Sequence, residues 1–155
     1  MPYDVGMDTV KMTDPRTALL CARLYLRGGK RRLQKGLTAA GVIALYDSIL
    51  FGMRYYIARH KRYELFLKTI DLWDAASMFQ ALTRAGVFED LLIFNRFSLI
   101  VERALWQRSF SFDTNAVLTE VEKMLTTLGV MPFNENIPLK QSGIPQEYVW
   151  KEGDA

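Results

Sequence analysis

Two residue types that build most metal and nucleophilic centres are nearly missing: the chain holds one cysteine, Cys21, and one histidine, His60. A lone cysteine excludes an intramolecular disulfide and any site built on several thiolates. Cys21 is expected as a small buried hydrophobe on the first helix, free cysteine being among the most buried residue types. Any imidazole acid–base chemistry has His60 as its sole source. The sequence shows no Cys/His cluster, no glycine-rich phosphate loop and no internal repeat, so no metal or cofactor is expected. Long apolar runs are scarce as well. The one stretch long enough to span a bilayer, residues 37–58, carries Asp47, Arg54 and three tyrosines, and a carboxylate near the bilayer centre is costly. The first eleven residues contain neither the basic nor the apolar part of a secretory signal. These absences lead to the expectation of a cytoplasmic protein without a membrane partner.

Hydrophobic residues make up 50% of the 155, and 12% are aromatic. That is enough for the core of a single domain rather than a disordered chain. The net charge of +3 conceals a strong asymmetry. Residues 15–62 hold eleven Lys/Arg against the single Asp47, whereas residues 63–155 hold eight basic and thirteen acidic residues. Such a split speaks to partners, or to one half docking on the other, and not to fold.

The pattern predicts helices throughout. Residues 1–13 read as a loose leader. Asp14-Pro15 is a strong helix start, with Asp as N-cap and Pro at the first position. Leu19, Ala22, Leu26, Gly29 and Leu33 then recur at helical spacing, opposite a face of Arg23, Arg27, Lys30 and Arg31. Gly28-Gly29 would favour a bend. Gly36 ends this helix and Thr38 is the expected cap of a second, running to about Arg59 and apolar on most of its circumference, as a central helix would be. Gly41, Ala44, Ser48 and Gly52 form a strip of small residues on it that admits a close backbone, within the bundle or across a dimer. Further helices are expected within residues 64–85 (capped by Asp71 or Asp74, stopped by Gly86), from Glu89 to Gln107, and from Asp113 to Gly129. Residues 130–155 carry three prolines yet stay apolar, which suggests an arm packed on its own bundle or on a partner. The architecture this predicts is an all-α, antiparallel four- to five-helix up-and-down bundle over residues 14–129, with an irregular C-terminal arm.

Three constellations are candidates for function. The basic run of Lys30, Arg31, Arg32 and Lys35 with Arg23 and Arg27 can neutralise phosphates, or it can pair with the acidic second half. Arg54 and His60 lie six residues apart at a helix end, where an imidazole beside a guanidinium fits acid–base work or simply a polar helix terminus. Asp47, in the middle of an apolar helix, calls for a cation to offset its burial. Arg96 and Arg103 are the expected partners, as an ion pair or as part of a polar site.

The segments Arg16-Thr17-Ala18-Leu19-Leu20-Cys21-Ala22-Arg23 and Ala39-Ala40-Gly41-Val42-Ile43-Ala44-Leu45-Tyr46-Asp47, joined by a short glycine turn, resemble the opening hairpin of the HEPN-domain ("higher eukaryotes and prokaryotes nucleotide-binding") family. The later helix from Asn95 to Gln107 and the closing helix fall in the family's order, so the likeness of pattern covers residues 14–129. The resemblance implies a helical, usually dimeric module that binds nucleotide or RNA, with a small nucleotidyltransferase as a candidate partner. Active members are metal-independent ribonucleases of toxin–antitoxin or defence systems, carrying an Arg followed four to six residues later by a His. Here Arg103 matches the Arg, but Gln107-Arg108-Ser109 supplies no His, and Arg54 with His60 has the spacing on the wrong helix. The resemblance therefore implies a non-catalytic member that binds RNA, nucleotide or an acidic partner as a homodimer. The alternatives are a helical assembly protein with no nucleic-acid role and, third, a ribonuclease using His60, Arg54 or Arg103.

Overall fold

A computed structural model of the chain describes residues 14–60, 74–89, 91–106 and 111–136. These contain five helices and no strand: α1 (Pro15–Gln34), α2 (Thr38–Arg59), α3 (Ala75–Arg84), α4 (Leu91–Trp106) and α5 (Thr114–Thr127). The leader, the part of the third helical stretch that includes Asp71, the Ser109-Phe110 pair and the arm beyond residue 136 lie outside the described residues.

The helix starts follow from short acidic caps. Asp14 accepts the Arg16 backbone N–H at 3.0 Å, Asp74 those of Ala76 and Ser77, and Asp113 that of Ala116 at 3.1 Å. Each satisfies a donor that the first helical turn leaves without a carbonyl. The second helix departs from expectation: Thr38 is already helical, and the cap position falls to Leu37, which has no side chain to offer. The α1 stop is Gly36, at φ +80°, with the Leu37 N–H returning to the Arg32 carbonyl at 2.9 Å. Gly129 closes α5 in the same way, at φ +82°, with the Val130 N–H on Leu125 O. The left-handed backbone conformation at these two positions is what glycine tolerates and β-carbons resist.

Helices α1 and α2 form an antiparallel hairpin across the three-residue turn 35–37. The strip of small residues explains how closely they approach. A β-carbon on Gly41 would lie 2.7 Å from the Leu33 side chain and 3.2 Å from the Gly29 carbonyl oxygen, and one on Gly29 would lie 3.1 Å from Gly41 O. Further along, the buried Ser48 hydroxyl donates to Ala22 O at 2.6 Å, and Tyr25 stacks on Phe51 with ring centres 5.5 Å apart. There is no break at Gly28-Gly29: α1 runs as one helix through them, and Gly29 is a close contact point with α2.

Helix α2 is central, touching all four other helices. Its Tyr46 meets Phe94 and Phe97 of α4, and Phe94 in turn stacks on Phe79 of α3 at 4.6 Å. Gly52 receives Leu125, Leu128 and Val130 from the end of α5. The predicted α5 stripe of Val117, Val121, Leu125 and Leu128 is buried as a unit. Among the described residues no helix is long and apolar enough to cross a membrane, and no group of His, Cys, Asp and Glu is placed to hold a metal ion.

Candidate functional site on the basic hairpin

Part of the basic face of α1 meets the acidic second half of the chain. Arg23 and Lys30 lie seven residues apart, two turns along one helix face, and both reach toward the segment that follows α5. Arg23 Nε donates to Val130 O at 3.0 Å, and its guanidinium carbon sits 5.0 Å from the centre of the Phe133 ring, a favourable cation–π distance. Lys30 Nζ donates to both carboxylate oxygens of Glu135, at 2.9 and 3.0 Å. It also pairs with Glu122 of α5 at 2.5 Å. Burial would push the Lys30 ammonium down, but its hydrogen bonds to Glu122 and Glu135 and their charges more than reverse this, and its pKa stands above the usual lysine value. Burial pushes the Arg23 guanidinium down while Tyr55 opposes the shift.

The remaining predicted cations divide. Arg27 is 8% exposed and belongs to the interior. Arg31 and Lys35 are exposed at the turn end of the hairpin, and Arg32 is partly exposed beside them, its guanidinium donating to Gly28 O at 3.4 Å. The six basic residues thus divide: Arg23 and Lys30 meet residues from the end of α5 onward, Arg27 is buried, and Arg31, Arg32 and Lys35 lie at the rim.

The second constellation is drawn apart by burial. Arg54 is 2% exposed, its guanidinium 5.9 Å from the Phe51 ring and near Cys21, where it opposes the burial that pushes the thiol up to about 12. Cys21 is buried as expected. His60 terminates α2 with its ring 4.2 Å from that of Tyr56, and Arg103 is exposed on α4. Arg54 thus stands in the interior and His60 at the helix end.

Asp47 is partly buried on α2, and its carboxyl is pushed up to about 6 by desolvation. The expected ion pair with Arg96 or Arg103 does not form: both arginines are on the exposed side of α4, and among the described residues no cation lies against Asp47. Arg96 instead lines a groove of about 190 Å³ between α4 and α5, together with Glu120, Phe97 and Ile100. Sequence reasoning missed the partners of α1, Phe133 and Glu135. The available signal was an aromatic and an acid two residues apart in the acidic half, matched by two cations one heptad apart in the basic half.

Compared with known proteins, the chain matches no family model, no curated protein and no solved structure. What it does is therefore argued from the chemistry of these residues.

Proposed function

We propose that this chain is a non-catalytic, HEPN-like helical module, an up-and-down bundle acting in the cytoplasm as a homodimer, that binds an acidic protein partner through the basic face of its first hairpin. One observation carries the reading: this face accepts within the chain two carboxylates on Lys30 and an aromatic ring on Arg23. A lysine ammonium among carboxylates and a guanidinium over a ring suit an acidic, aromatic-containing peptide. A single-stranded nucleic acid favours a row of exposed aromatics for stacking, and among the described residues the exposed rim of this hairpin offers cations without such a row.

The test is a titration of labelled acidic peptide and labelled single-stranded RNA over a salt series. The reading expects the peptide to bind, and Arg31→Glu with Lys35→Glu to weaken it by at least about tenfold. RNA binding with a steep log–log salt slope and no peptide binding would replace it by the RNA reading. Absence of binding to either ends both.

The homodimer rests on a second feature, the outer side of α4. Leu99 is 47% and Trp106 82% exposed, seven residues apart on the side opposite Phe94, Phe97 and Ala104, which face the core. Glu102 and Arg103, both exposed, flank that line on opposite edges. A second copy laid parallel, about a twofold axis along the helix, therefore sets Leu99 and Trp106 against their equivalents and each Glu102 beside an Arg103.

A further inference from the structure

The contacts between α1 and the segment after α5 differ in kind from those inside the bundle. Val130 is fully buried and belongs to the core, packing on Gly52. Beyond it, residues 131–136 contain no helix or strand. Their links to α1 include the Phe133 ring on Arg23 and the Glu135 carboxylate on Lys30. The side chains of Lys30, Glu122 and Glu135 are 21%, 36% and 31% exposed, so water and salt reach the ion pairs and weaken them. Pro132, Asn134 and Asn136 are exposed. Met131 and Phe133 rest on the edge of the core, and the Met131 N–H reaches Leu125 O at 3.3 Å; a short irregular segment held by these partly exposed contacts can peel away while the five helices stay in place.

We propose that residues 131–136 are a latch that closes the α1 cradle of Arg23 and Lys30 in competition with an acidic partner carrying the same signature, an aromatic residue two positions before a carboxylate. The proposal rests on the acidic-partner reading and adds its regulation. Arg23 cannot lie under two rings, and Lys30 already holds Glu122, so the latch and the partner exclude one another. The partner's apparent affinity is reduced by the fraction of time the latch is shut, and by linkage a bound partner holds the latch open. Phe133-Asn134-Glu135 is itself the template for what the cradle accepts.

The experiment compares the full chain with the double variant Phe133→Ser, Glu135→Gln. Both positions lie outside the helices, and far-UV circular dichroism checks that the helices persist. A second arm leaves the sequence untouched and raises sodium chloride on the native chain. Hydrogen exchange at residues 131–136 reads the latch, and a fluorescein-labelled synthetic peptide with the sequence of residues 130–136 reads the cradle. The latch predicts at least tenfold faster exchange at residues 131–136 in the variant and in high salt, with α5 unchanged. It also predicts peptide binding at least tenfold tighter to the variant than to the native chain. Unchanged exchange in the variant overturns the latch outright. Faster exchange with equal peptide affinity for both chains overturns the competition and leaves the acidic-partner reading standing. Faster exchange with no peptide binding to either chain removes that reading and the latch with it.

Discussion

At Asp47 the chain leaves a carboxylate partly buried on the central helix with no cation against it among the described residues, and the consequence is a cost that grows with pH. Desolvation lifts its pKa from 3.8 to about 6. Below about pH 4 the group is neutral whether the chain is folded or not. Between there and about pH 6 the folded chain holds a proton that the unfolded chain gives up, so stability falls as pH rises, and above that the cost is complete. Asp47→Asn should therefore stabilise the protein by about 1–3 kcal/mol at pH 7.5, with the gain shrinking toward pH 4. Urea unfolding of both chains at the two pH values measures it, and an equal gain at both would mean the carboxylate is not the source. The residue itself stood out in the sequence, as one acid in an apolar helix. Its lack of a partner did not, because periodicity places Arg96 and Arg103 on one side of α4 but cannot say that this side faces away from α2.

At the scale of the element, the hairpin was the most legible part. Asp14-Pro15 marks its start, Gly36 its turn, and the strip from Gly41 to Gly52 announces a close neighbour. What the pattern left open was which neighbour, and the answer is divided: Gly41 and Ser48 face α1, while Gly52 receives the end of α5. The two glycines of α1 cost about 1 kcal/mol each against alanine, which argues for a break only if tertiary contact is ignored. Gly41→Val should destabilise the fold by about 2–3 kcal/mol, as overpacking does where neighbours cannot retreat, since the added carbons would meet the Leu33 side chain and the Gly29 backbone. The urea midpoint measures this, and a midpoint at or above that of the native chain would show that the hairpin can widen. That the basic face of the same helix can pair with the acidic second half was legible from the charge split, but the residues that meet it were not, because they lie more than a hundred residues away in the chain and local periodicity carries no information at that range.

For the whole molecule, the all-helical class followed directly from periodicity, whereas the outer side of α4 did not declare itself. Its spacing mixes leucine, tryptophan and arginine, and only the structure shows which part of the circumference is left outside. If the parallel pairing is right, light scattering over a concentration series should give twice the chain mass, and Trp106→Ser should weaken association by about tenfold or more, as removal of a central aromatic does. A chain that stays monomeric at high concentration would remove the dimer, and a dimer indifferent to Trp106→Ser would move it to another surface. Either outcome leaves the hairpin's chemistry intact, since α1 and the outer side of α4 share no residue.

The reach of Arg23 and Lys30 to Val130 and Glu135 spans 107 and 105 positions, and this sets an order of events during synthesis. The hairpin of α1 and α2 is built from contacts close in sequence, which form quickly. The segment that covers its basic side is translated about a hundred residues later, a delay on the order of 5–20 s at ordinary elongation rates. For that interval the nascent chain presents Arg23 and Lys30 bare, beside the ribosome, and the cover arrives only when nearly all of the described chain has been made. A partner waiting at the exit tunnel would meet the cradle before its own chain could close it.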